Sequence, residues 1–214
     1  MDEITTMDDQ PISATFFHEG KWLTEFITPN ALEVRRLYAD ITNGLTLTEE
    51  KVKACHNWVA NRIRYKQFLT GRLWVEGKTS VQNDLWLSPS LVKQIRVGNC
   101  ANKAFLLTSL LRNELGQDHV YCVLGNLYNG KAGGHAWTEV NLGGRNFICD
   151  ATNANVQPLV FASIADRYEP VHYFNDKVTY AVEGKTVLEP FAACYSTWLK
   201  DYLHWGYIEG RKEL

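Results

Sequence analysis

Gly133-Gly134-His135-Ala136-Trp137-Thr138-Glu139-Val140, then Asn141-Leu142-Gly143-Gly144, then Arg145-Asn146-Phe147-Ile148-Cys149-Asp150-Ala151-Thr152: this stretch reads as two strands, His135 to Val140 and Arg145 to Cys149, around a cluster of turn formers. An even-numbered loop centred between Leu142 and Gly143 pairs Val140 with Arg145, Trp137 with Ile148 and His135 with Asp150. Directly opposed residues of an antiparallel pair share a face, so this register sets a carboxylate beside an imidazole. An odd-numbered loop would slip the register by one and turn Asp150 to the other face.

Upstream the pattern is helical. Thr28-Pro29 offers an N-cap and a proline at the first helical position. Ala31, Val34, Leu37 or Tyr38, and Ile41 then recur at helical spacing, up to Gly44. Thr46-Leu47-Thr48-Glu49 has capping-box spacing ahead of an apolar face made by Val52, Cys55, Val59 and Ile63. Ser88-Pro89 starts a short helix with Leu91, Val92 and Ile95, stopped by Gly98. A further helix from about Cys100 to Leu115 is apolar on nearly every side, which predicts burial all round. Before these, Ser13 to Ile27 reads as a hairpin around His18-Glu19-Gly20-Lys21.

Downstream, Val120 to Leu124 reads as a strand. Val171 to Phe174 and Lys177 to Val182 read as a hairpin around Asn175-Asp176. A last helix begins at Pro190 and carries Phe191, Cys194, Trp198 and Tyr202 on one face. Helices first and an antiparallel sheet second predict an α+β fold, the helical N-terminal part packed on the sheet. Residues 1–12 are expected to be a loose polar end. Residues 13–214 are expected to form one domain, with its core at about 50–155 and a C-terminal hairpin and helix at 170–210.

Cys100 follows Gly98-Asn99 and opens the most apolar helix. A thiol there meets unpaired backbone N–H groups and the positive end of the helix dipole, and both favour the thiolate. Cys100, His135 and Asp150 thus make a candidate nucleophile, base and orienting carboxylate. Cys55, Cys122, Cys149 and Cys194 lack metal-ligand spacing and read as core packing. His18, His119, His172 and His204 show no partner pattern. Arg62-Arg64-Lys66 reads as a solvated helix end.

Gly98-x-Cys100-x-x-x-Ala104 opening an apolar helix, then His135-Ala136-Trp137-x-Glu139-Val140, then Asp150-Ala151-Thr152, resembles the core of the transglutaminase-like superfamily, a papain-like Cys–His–Asp fold. Trp58-Val59 with Ile63-Arg64-Tyr65, and Trp86 with Pro89, fit the same pattern, so the resemblance covers about residues 50–155. It implies acyl transfer through a thioester, with protein or peptide as substrate. It implies hydrolysis of a peptide or isopeptide bond ahead of transfer to an amine, and both ahead of a catalytically dead binding module. Arylamine N-acetyltransferases share the residue order but fit His-Ala-Trp and Asp-Ala-Thr less well. The family often adds an indole to the oxyanion site. Trp86 is the candidate for that donor, and Trp137 is a candidate for oxyanion or support duty. Many members carry acidic residues shortly after the cysteine. Here Ala101-Asn102-Lys103 stands in that place, which bears on substrate preference. No cofactor or metal is implied, and no calcium-loop pattern is visible.

Composition sets the outer limits. The 214 residues are 45% apolar and 21% charged, as in a globular domain, and the net charge of −2 makes nucleic acid and anionic membrane poor partners. No apolar run approaches the roughly 20 residues of a membrane span. The acidic start Met1-Asp2-Glu3-Ile4 has no signal-peptide pattern, and five cysteines without a CxxC pair argue for a reducing compartment, so the expected location is cytoplasmic. A secreted protein met without its leader would present the same pattern. Oligomeric state leaves no mark in the sequence.

Overall fold

A computed structural model describes residues 15–17, 23–67, 69, 71–75, 78–82, 86–129, 131–152, 158–162 and 165–185. In chain order the elements are β1 (Thr15–Phe17), a 3-10 turn (Leu23–Phe26), α1 (Leu32–Thr42), α2 (Thr48–Arg62), β2 (Arg64–Tyr65), β3 (Gly71–Val75), β4 (Lys78–Gln82), α3 (Pro89–Ile95), β5 (Val97–Gly98), α4 (Cys100–Leu111), β6 (Val120–Asn129), β7 (Lys131–Leu142), β8 (Arg145–Cys149), β9 (Val160–Phe161), β10 (Tyr168–Phe174) and β11 (Thr179–Ala181). Helices lead and an antiparallel sheet of six strands follows, in the order β11-β10-β6-β7-β8-β9. This is the α+β arrangement the sequence implied.

Every residue of α4 is buried. One side of α4 lies on β6 and β7, and α1, α2 and α3 close around it. Thr138 of β7 ties the layers together by donating to the Ala104 carbonyl at 3.3 Å and meeting the Thr108 hydroxyl at 3.0 Å. Val52, Cys55, Val59 and Ile63 of the α2 segment are buried in the same core as Leu106, Leu107, Leu110 and Leu111.

Several local expectations are corrected. The 13–27 hairpin is not formed. Thr15–Phe17 pairs in parallel with β3, and Leu23 and Phe26 are buried three residues apart on a helical turn, a spacing a strand would have split between two faces. Helix α1 starts at Leu32, not at Pro29, because Thr28 and Pro29 sit in a turn closed by Ala31 N–H on the Thr28 carbonyl at 3.2 Å. Helix α2 has no side-chain cap at its start; Thr48 gives its hydroxyl to Glu114 instead. Helix α3 ends on Arg96 in the left-handed region at φ 59°, ahead of Gly98. The last helix, from Pro190, lies outside the described residues.

The decisive hairpin is also shifted. Gly143 and Gly144 both take positive φ, 58° and 79°, and make a two-residue turn of the kind that matches strand twist. Leu142 therefore opposes Arg145, and the ladder runs on through Glu139–Ile148 to Thr138–Cys149. Continued one step, this register sets Asp150 beside Trp137, not directly opposite His135. The slip is an even one, so both side chains keep one face and meet diagonally.

Candidate active site

Asn99 caps α4 by accepting from the Asn102 N–H at 3.0 Å, and this fixes where the helix begins. Cys100 is thereby its first residue, with its backbone N–H at the unpaired, electropositive end. The imidazole of His135 lies within the electrostatic reach of Cys100, which favours its charged form. On the far side of the ring, His135 Nε2 donates to Asp150 Oδ2 at 2.8 Å, both groups being buried. With Nε2 engaged by the carboxylate, Nδ1 is the ring nitrogen left for the thiol. Cys100, His135 and Asp150 are thus brought together in that order.

Asp150 is held from several sides. Its Oδ2 also accepts from the Tyr168 hydroxyl at 2.9 Å, and its Oδ1 from the Thr152 N–H at 2.9 Å. Its own carbonyl meets His56 Nε2 at 3.0 Å. Burial works against the carboxylate, but the hydrogen bond and charge of His135 and the bonds from Thr152 overcome it and hold the acid well below its ordinary range. For His135, burial again opposes the charge, and the Asp150 hydrogen bond and charge, helped by Cys100, overcome it and raise the imidazole to about 10. At neutral pH the pair is therefore imidazolium and carboxylate.

A sequence profile of the Transglutaminase-like superfamily matches residues 35–151, more than half of the chain and all three of these residues. The chain belongs to the transglutaminase-like superfamily. No curated protein matches it. Among solved structures, Legionella pneumophila LapG is similar in fold. The EGTA-treated form superposes with a TM-score of 0.54 at 12% identity, covering 77% of this chain and 86% of that one. The calcium-bound form gives 0.51 at 14% identity, covering 74% and 84%. Among the described residues of this chain, no group of three or more His, Cys, Asp or Glu could hold a metal ion. Asn99, Ala101, Asn102 and Lys103 flank Cys100 and supply no carboxylate.

The cytoplasmic expectation is overturned. The LapG proteins are periplasmic secreted proteases. The physical reason for the error is that thiols buried as core packing carry no mark of a reducing compartment: Cys55, Cys122 and Cys149 are free and buried. Among the described residues, no helix is long and apolar enough to cross a membrane.

Within this superfamily member the two tryptophans have different surroundings. Trp86 shares a buried cluster with Cys100 and packs edge-on against Phe26 and Phe105. Trp137 gives its indole N–H to Glu139 at 3.0 Å, which fits support and not an oxyanion donor. Its ring stacks on His135 with centroids 6.1 Å apart and meets Tyr168 at 5.1 Å. Gly125, opposite His135 on β6, lets that ring in: a Cβ there would stand 2.2 Å from the Glu169 carbonyl oxygen and 2.5 Å from Trp137. The backbone oxygen cannot swing away. Gly125→Ala is therefore expected to cost about 1–3 kcal/mol of stability and to lower activity by displacing Trp137 from His135. A melting curve beside a turnover assay checks both.

Three residues that serve Asp150 escaped sequence reasoning. Tyr168 lies ahead of the strand expected from Val171; β10 begins at Tyr168 and passes Pro170 with a register shift between Pro170 and His172. His56 sits next to Cys55 and reads as core. Lys103 reads as a departure from the family and not as part of a site.

The thiols also separate. Cys100 is 9% exposed while Cys55, Cys122 and Cys149 are fully covered. Burial pushes the Cys55 thiol up to about 12 and lifts Cys122 and Cys149 as well. Limited iodoacetamide labelling of the folded protein followed by peptide mapping should find Cys100 modified first among these residues. Prior modification of Cys122 would contradict the site.

Proposed function

We propose that the protein is a cysteine peptidase of the transglutaminase-like superfamily, hydrolysing a peptide or isopeptide amide bond through a thioester on Cys100. The observation that supports it best is the buried His135–Asp150 hydrogen bond, set within the electrostatic reach of Cys100 at the start of α4. The thiolate attacks the amide carbonyl carbon and the tetrahedral oxyanion forms. His135 then gives its proton to the leaving amine, the C–N bond breaks and the thioester remains. Water attacks next. His135 takes its proton, the C–S bond breaks, and the acid and the Cys100 thiolate are released. Asp150 holds the ring tautomer and stabilises the imidazolium.

The oxyanion needs donors aimed at the reacting carbon. The Cys100 backbone N–H at the helix start is the first, and Trp86, in the same cluster, is our candidate for the second. Protein or peptide is the substrate class we propose, in line with the fold shared with the LapG proteases. The catalytic unit we propose is one domain, the family core with the β10–β11 hairpin added.

Intact mass spectrometry tests this with peptides offered with and without a primary amine. Acyl-enzyme that resolves to free acid supports hydrolysis. Accumulation of amide-linked product would move the reading to a cross-linking transglutaminase. Absence of any adduct or product across the panel would favour a binding module.

A further inference from the structure

Lys103 carries an ammonium into a helix that is buried on every side, and the residue is only 1% exposed. Its Nζ donates to two backbone carbonyls, Ala60 on α2 and Thr152 just past Asp150, each at 3.3 Å. Neither carries a formal charge. The charge that answers the ammonium is Asp150, whose field acts on it. A methionine would fill a similar volume without desolvating a cation, so packing alone gives no reason for the charge.

We propose that Lys103 is a positioning residue that stabilises the neutral imidazole of His135 beside the Asp150 carboxylate. The proposal rests on the acyl-transfer reading above. Two cations act on Asp150: His135, bonded to Oδ2, and Lys103, which donates to the Thr152 carbonyl two residues on. While His135 is charged, both share one anion and repel each other. Once His135 has passed its proton to the leaving amine, the buried carboxylate would stand unanswered but for Lys103. The ammonium thus eases proton donation in acylation and keeps Asp150 ionised when the imidazole must take a proton from water. Lys103 itself exchanges no proton in either chemical step.

Titratable groups stand near Lys103 among the described residues. Asp150 faces it from the end of β8, and His135 stands beyond that carboxylate on β7. His56 comes from α2 with its ring on the Asp150 carbonyl, and Cys100 lies one turn earlier on α4. Burial keeps Cys55 on α2 and Cys149 on β8 in the thiol form. Burial also draws the ammonium down to about 8, against the pull of Asp150, so its influence fades as the pH rises through that value.

Two measurements test this. In the wild-type enzyme and in Lys103→Met, kcat is followed against pH. The variant should lose about tenfold in kcat at pH 7 with little change in KM, and the two proteins should converge above about pH 9. A deficit that stays constant with pH, or no deficit, would overturn the proposal. The second measurement needs no substrate: NMR of the His135 ring and of 13C-labelled lysine side chains in Cys100→Ala, so that the nucleophile adds no titration. The His135 signals should inflect with the midpoint of the Lys103 ε-carbon, near pH 8, and lose that inflection in Cys100→Ala/Lys103→Met. No inflection in the Lys103-containing protein would overturn the proposal even if Lys103→Met failed to fold. Failure of the acyl-transfer reading would instead show as a wild-type protein with no turnover at all.

Discussion

Cys100→Ala is expected to abolish covalent turnover, a fall on the order of 10⁴- to 10⁶-fold, while the melting temperature stays within a few degrees of wild type. The side chain is small and nearly buried, in a cluster whose larger members, Phe26, Trp86, Phe105 and Phe174, keep their contacts. Removing the sulfur takes away the nucleophile and little packing. His135→Ala should be nearly as damaging to the rate, since one group acts first as acid and then as base. It should cost more stability, because it strips the buried Asp150 of the partner at 2.8 Å. The double variant should be no slower than the worse single one, as expected of residues acting as a unit. The measurement is turnover of an activated ester or peptide by each variant beside its melting curve. Full activity in Cys100→Ala would refute the nucleophile assignment.

What the sequence revealed depended on which physical rule was at work. Period and face were legible. The apolar stripe of α2 and the all-round burial of α4 follow from helical spacing. The shared face of His135 and Asp150 follows from the period of two along a strand, and it survived a misplaced turn because the slip was even. Turn chemistry would have corrected that error: two adjacent glycines at positive φ make a tighter loop than the four-residue cluster suggested. Tertiary partnership was not legible. Tyr168 and His56 reach Asp150 from β10 and α2, and Lys103 reaches the neighbouring Thr152 carbonyl from α4, at sequence separations of 18, 94 and 49 residues, and no local pattern marks them. The strand β1 likewise finds its partner far along the chain at β3, where a hairpin reading looked only to its neighbours.

Asp150→Asn should lower kcat/KM by up to about four orders of magnitude and pull down the alkaline limit of activity. The carboxylate accepts on both oxygens, from His135 and Tyr168 at Oδ2 and from the Thr152 N–H at Oδ1. An amide cannot serve both sides. With its NH₂ toward His135, it forces Nε2 to accept, which puts the ring proton on Nδ1, facing the thiol, where no proton can then be taken up. With its oxygen toward His135, the NH₂ confronts the Thr152 N–H, and the turn that orients residue 150 loses a bond. Either way the negative charge is gone. Burial is the largest influence on His135 and lowers its proton affinity, and Asp150 chiefly opposes it. Without the carboxylate, the alkaline limb of kcat/KM should fall from about 10 toward the ordinary histidine value of 6.5 or below. The stability signs follow the same logic. Stability from the depressed Asp150 is present above its ordinary value of 3.8 and lost as pH falls through its lower folded value. Stability from the raised His135 is fully present below 6.5 and lost as pH rises through about 10. The melting deficit of Asp150→Asn should therefore be greatest between about pH 4 and 6.5 and shrink toward pH 10. A pH-rate profile with parallel melting curves measures both. An alkaline limb that stays near 10 in Asp150→Asn would show that something other than this carboxylate keeps the imidazole charged.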